Sequence, residues 1–237
     1  MTLCLYAIVS STPTLLHLRG LRNERLELIR AGNVCAVVGR VSRPLQPTPA
    51  NMRAYHNAIG RLAAVVPAVL PVRFGTTFQF DTEIVGLLRE RAAAFRTVLT
   101  RVRGRVQMTV RLVTGEERLP GTNAGSSASD RSSGAAYLRS RAGHARRLVM
   151  WPPCVELRRV AIGWIRAELI EERQGVVSVY HLIPRRAAAP YRRAVEGELS
   201  GLRAKVTGPF PPFAFADPLG AASESAPVVA RQRFVRG

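Results

Sequence analysis

The sequence predicts an α+β protein of two domains, residues 1–114 and 134–216, with a linker over 115–133 and a flexible basic tail over 217–237. Three observations predict it. The first half interleaves short apolar or alternating runs with two stretches of helical periodicity. Residues 114–134 hold Gly, Ser, Asn, Asp and Pro with few large apolar side chains, which is linker composition. Beyond them the pattern runs helix, strand, strand, helix, strand.

Residues 3–9 (LCLYAIV) form an apolar run suited to a buried strand. Residues 26–30 and 34–41 read as a hairpin, because Gly32-Asn33 between them tolerate positive φ. A proline-rich link leads to a helix near 51–66, with Tyr55, Ala58, Ile59, Leu62, Val65 and Val66 on its apolar side. Pro67 ends it, since the residue before a proline avoids the α region. VLPVRFG at 69–75 is the next strand. Asp81 or Thr82 is expected to cap one long helix reaching about 102, where Gly104 stops it. RVQMTVRLV at 105–113 alternates as a strand does. This half predicts a mixed sheet with helices on one face.

In the second half a basic helix is expected over 134–150, interrupted by Pro152-Pro153. The stretch 154–170 reads as strand or helix, and Glu168, Glu171 and Glu172 read as a solvated helical face. VVSVYHLIP at 176–184 is a strand, 189–202 a helix with Pro190 near its start, and AKVTGPF at 204–210 a closing strand. That order predicts a modified ferredoxin-like unit.

The 237 residues suffice for two cores, and no apolar run reaches the roughly 18–20 residues of a membrane span. The apolar N-terminus lacks a basic region and reads as a strand, not a signal peptide. Cys4, Cys35 and Cys154 are scattered, so reduced core thiols in a cytoplasmic protein are expected. The formal net charge of +19 comes almost wholly from arginine, Lys205 being the only lysine. Such a charge favours acidic partners.

No catalytic constellation, metal site or cofactor loop is evident. His17, His56, His144 and His181 lie far apart, with no second ligand at helical spacing. There is no phosphate-binding glycine loop, zinc-protease helix or nucleophile elbow. The arginines at 139, 141, 146, 147, 158, 159, 185, 186, 192 and 193 suit bidentate contact with carboxylates or phosphates. No groove-reading or stacking module accompanies them, so specific nucleic-acid binding is not expected.

Three motifs remain. GPFPPFAFA at 208–216 packs three prolines, three phenylalanines and one glycine into nine residues. Pro209, Pro211 and Pro212 exclude a helix or central strand, while Phe210, Phe213 and Phe215 need shelter from water. The segment therefore needs a groove, on this chain or on a partner. VLPVRFGTTF at 69–78 places Arg73 among apolar neighbours, where a charge is costly unless paired, next to Phe74 and Gly75. SSGAAYLRSR at 132–141 carries Tyr137, Arg139 and Arg141.

Together these motifs, in this order and with the opening LYAIV, resemble the gas vesicle protein family GvpL/GvpF over residues 3–216. The first looks like the family's GPWPPYSF close, the second, taken with the helix before it as YHNAIGRLAAVVPAVLPVRFGTTF at 55–78, its histidine-helix and RFGT strand, the third its GSGTAYL segment. The chain departs at Gln107-Met108-Thr109-Val110-Arg111, where relatives carry Glu-Trp-Gly-Val-Lys, and at Phe210, Phe213 and Ala214 for Trp, Tyr and Ser. The resemblance implies a non-enzymatic accessory or minor structural protein of gas vesicle assembly, located with gas vesicles in the cytoplasm. Its implied partners are the small hydrophobic shell protein and other accessory proteins, with no cofactor. The charge alone supports a rival expectation, a polyanion-binding module whose affinity falls steeply with salt.

Overall fold

The computed structural model describes residues 1–10, 18–43, 45–113, 143, 146–216 and 228–233. The expected linker and the motif residues Tyr137, Arg139 and Arg141 lie outside them, as does most of the tail. The chain gathers into two compact units, Met1–Val106 with Phe210–Ala221, and Gln107–Pro209 with Ala222–Gly237.

In the first unit β1 (Thr2–Ser10), β2 (Leu26–Ala31), β3 (Val34–Val41), β4 (Val69–Pro71) and β5 (Thr77–Phe78) form one sheet. Its order is β2-β3-β1-β4, with β5 also pairing β1. The β2–β3 hairpin turns at Gly32, whose φ of 60° suits glycine. The expected mixed sheet is not observed: every described pairing in it is antiparallel. The reason is the crossover. Helix α1 (Pro49–Val65) carries the chain from β3 to β4 on the far side of β1, so those two strands never become neighbours.

The helices also cover both faces rather than one. Eight consecutive residues of β1 are buried, which needs shelter above and below. Tyr55, Ala58, Ile59 and Leu62 of α1 pack with Cys4, Tyr6, Cys35 and Val37. Helix α2 (Asp81–Glu90) sits on the opposite face. Arg40 is the cross-strand neighbour of Leu3, and its guanidinium reaches Asp81 at 3.0 Å. Helix α3 (Ala92–Val102) continues over β3, β1 and β4, so the single long helix expected is two. They part at Arg91, whose φ of −105° and ψ of 14° leave helical geometry.

Two helix starts differ from expectation. Thr48 caps α1, its Oγ1 accepting from the Asn51 N–H at 3.2 Å, with Pro49 in the first turn. At α2 the cap residue is Phe80, whose ring cannot accept. Instead the Glu83 carboxylate accepts from the N–H groups of Gln79 and Phe80 at 2.8 and 2.9 Å.

The second unit holds β6 (Arg105–Val113, from Gln107), α4 (Pro152–Ala161), β7 (Ala167–Arg173), β8 (Val176–Pro184), α5 (Ala188–Glu198) and β9 (Ala204–Phe210, to Pro209). With β10 (Val228–Arg233) the strand order is β10-β7-β8-β6-β9. The β7–β8 hairpin turns at Gln174-Gly175, both with positive φ. Pro152-Pro153 begin α4 instead of only interrupting a helix, because a first turn has no use for their missing N–H groups. Glu168, Glu171 and Glu172 lie on strand β7, not on a helical face. The antiparallel partner β8 claims their backbone.

Candidate interaction surface and a buried polar cluster

The closing segment finds most of its groove on this chain. Strand β9 ends at Phe210, and the chain makes a 3-10 turn through Phe213–Phe215 against the first unit. Phe215 and Pro212 are buried. Phe213 stacks on the exposed His56 of α1, centroids 4.6 Å apart and planes 13° from parallel. The Arg101 guanidinium donates to the Phe215 carbonyl at 3.3 Å. Pro211 is half-buried and Pro209 exposed. Phe210 stays 40% exposed, so one large apolar ring of the motif is left facing solvent.

The Arg73 turn belongs to the same unit. Arg73 is exposed and has no carboxylate partner among the described residues; the anticipated cost of burying it does not arise. Its carbonyl accepts from Thr76 Oγ1 at 2.8 Å, and Gly75 turns the chain with φ of 85°. Phe74 is half-buried and meets Tyr55 edge-on, centroids 5.3 Å apart. Tyr55 in turn stacks on Tyr6 at 5.2 Å, and its hydroxyl lies 3.0 and 2.7 Å from the carbonyls of Tyr6 and Val72. Burial pushes the Tyr55 hydroxyl pKa upward, which keeps it a neutral donor. The structure thus brings Phe74 and Phe213 onto one core cluster. Exposed Arg73 and Phe210 flank those two in sequence.

A second feature has no motif in the sequence. On the helix-covered face of the second sheet, Glu168 of β7 sits directly opposite His181 of β8. Both side chains are essentially inaccessible. His181 Nε2 is 2.9 Å from Glu168 Oε2, and its Nδ1 is 2.7 Å from Tyr191 Oη on α5. Arg158 of α4 donates to Glu168 Oε1 from Nη2 at 2.8 Å and from Nε at 3.2 Å. A carboxylate only accepts, so Nε2 carries hydrogen and donates to it. Burial alone would raise the Glu168 carboxyl; the contacts from His181 and Arg158 outweigh it and hold the group below its ordinary value. Burial drives the Tyr191 hydroxyl upward. The cluster ties two helices to two strands and is closed to substrate, so its chemistry is that of a lock. Only alternation along β8 could have hinted at it, by placing His181 on the same buried face as Val177 and Val179.

The arginines divide in the same way. Arg159 pairs with Glu156 and Glu198 at 2.5 and 3.2 Å. Arg192 reaches Glu196 and the Gly208 carbonyl. Arg146 and Arg147 are exposed. Part of the basic charge therefore serves the fold. The three cysteines are buried and not joined in disulfides, and burial pushes the Cys4 and Cys154 thiols up to about 12. Among the described residues no group of His, Cys, Asp or Glu has the geometry to hold a metal. No described helix is long and apolar enough to cross a membrane.

The model of the gas vesicle synthesis protein GvpL/GvpF family matches residues 3–151. No curated protein matches the chain by sequence. Solved structures similar in fold include two gas vesicle proteins. The gas vesicle protein GvpF from Anabaena sp. PCC7120 superposes with a TM-score of 0.67 at 18% identity, over 91% of this chain and 96% of that one. GvpF from Microcystis aeruginosa gives 0.69 at 14% identity, over 91% and 99%.

Proposed function

The chain belongs to the gas vesicle GvpL/GvpF family, and on that premise we propose that it is a non-enzymatic accessory or minor structural protein of gas vesicle assembly. In this role it holds the hydrophobic shell protein, or another accessory protein, during nucleation. The observation that carries the reading is the half-satisfied aromatic-proline segment. Phe213 and Phe215 are anchored on the first unit while Phe210 remains exposed. An anchored segment that still presents a ring suits capture of an apolar partner, since aromatic side chains dominate such contacts. Arg73, exposed beside the anchored Phe74 and without a carboxylate partner among the described residues, supplies the polar part.

The second unit we read as a modified ferredoxin-like fold. Its elements follow the order β6-α4-β7-β8-α5-β9, and the spatial order β7-β8-β6-β9 supports this, with β10 added at the β7 edge.

Co-purification with the shell protein across a salt series tests the function. Binding that survives about 0.5 M salt, where exposed charge pairs are screened, and that weakens in Phe210→Ala and Arg73→Ala, is the expected result. The net charge of +19 favours one rival, a general polyanion binder. Binding that vanishes with salt and is matched by nucleic acid would establish that rival instead.

A further inference from the structure

We propose that the second unit carries a binding cleft for a short acidic peptide segment bearing an apolar side chain. The cleft holds about 510 Å³ and is lined by Trp164, Arg166, Pro184, Arg186 and Pro190, with Gly163 and Ala187 at its walls. That volume is in the range small ligands occupy.

Its chemistry is one-sided. The apolar surface comes from an indole and two prolines. Trp164 is half-buried and braced edge-on by Tyr191, centroids 6.4 Å apart, so its ring is a fixed wall. The polar surface is cationic. Arg166 Nη1 donates to the carbonyls of Ile165 and Gly163 at 3.0 and 3.3 Å, which pins this guanidinium in place. Arg158, Arg159 and Arg192 each meet a glutamate, but neither Arg166 nor Arg186 has a carboxylate partner among the described residues. No acidic residue is among the described residues that line the cleft. The helical run entering α5 at Arg185 adds the same sign, with no capping side chain and no acid in its first turn.

Two pinned or poised guanidiniums beside a rigid Trp–Pro surface select an anion with an apolar body. Guanidinium forks match carboxylates, and aromatic–proline walls suit an extended chain. A nucleic acid would call for a longer basic track than one cleft offers. This inference stands apart from the proposed shell-protein surface, whose residues belong to the first unit.

The test uses the full chain with Trp151→Phe, which leaves Trp164 as its one indole, since the sequence has two tryptophans. The probe is a blocked tetrapeptide of glutamate, phenylalanine, glutamate and leucine, followed by Trp164 fluorescence. A saturable change is expected. Its Kd should rise about tenfold in Arg186→Gln, as loss of a charge-assisted contact implies, and about as much when both glutamates of the peptide become glutamines. Arg166→Gln also releases two loop carbonyls, so Arg186→Gln, with circular dichroism confirming the fold, carries the test. No saturable change, equal affinity for the glutamine peptide, or an unmoved Kd in Arg186→Gln overturns the proposal. So does equal displacement by oligothymidylate at matched charge. None of these readouts depends on vesicle yield, so this cleft and the assembly role fail separately.

Discussion

Replacing Glu168 by glutamine tests the lock in the second unit. The side chain is 1% exposed and accepts three contacts, two from Arg158 and one from His181. Glutamine keeps the shape but removes the charge and turns one acceptor into a donor that faces donors. Arg158, itself only 14% exposed, is left as an uncompensated cation. Breaking a buried pair from one side costs about 3–5 kcal/mol. For a unit of about 120 residues, at roughly 2.1 cal/mol/K per residue, about 3 kcal/mol corresponds to a fall of roughly 12 °C in Tm. The assay is urea and thermal unfolding followed by tryptophan fluorescence, since Trp151 and Trp164 both lie in this unit. A second arm pairs Glu168→Leu with Arg158→Met, which removes both charges and should recover part of the loss, since His181 Nε2 still lacks its acceptor. The pH dependence follows from the same contacts. Glu168 is held below its ordinary value in the fold, so its contribution is full above the usual carboxylate range. It is lost as pH falls through the lowered folded value. Wild type should therefore lose stability on acidification more steeply than Glu168→Gln. A cost under about 1 kcal/mol, the value of an exposed pair, or parallel acid profiles for the two proteins, would refute the reasoning.

Other sites give sharper local tests. Tyr55→Phe removes the hydroxyl that serves two buried carbonyls, and urea unfolding should show a loss of about 1–2 kcal/mol. Gly208→Ala should cost more than 2 kcal/mol, a rough figure for a strained and crowded site. Gly208 has φ of 115°, and an added Cβ would meet the Gln107 carbonyl oxygen at 2.8 Å. A melting point within about a degree of wild type would show that the backbone there yields. Phe210→Ala should leave Tm within a few degrees, since its ring is 40% exposed, whereas Phe215→Ala should lower it clearly. The cysteines should resist a thiol reagent at pH 8 until urea unfolds the chain, because Cys4 and Cys154 are buried with pKa values of about 12. Rapid labelling of the folded protein would contradict that burial.

What the sequence determined by itself was local. Strands at 34–41, 105–113, 176–184 and 204–210 fell where alternation or an apolar run put them. Gly32 and the end of α1 before Pro67 followed from backbone sterics. The family was legible for a related reason, as its motifs are short runs of prolines, glycines and aromatics whose order survives in one chain. The tertiary structure decided what meets across the sheets. Nothing in AELIEER says that Glu168 is buried, because its cost is met by Arg158 and His181, 10 and 13 residues away. Arg73, suspect by its apolar neighbours, escapes burial through a turn at Gly75. The cleft beside Trp164 exists only because the residues after α4 and the start of α5 are brought together at the C-terminal end of β8. Periodicity reports which side of an element is apolar; the partner of a buried charge is fixed by strand register and helix packing, which depend on contacts distant in sequence.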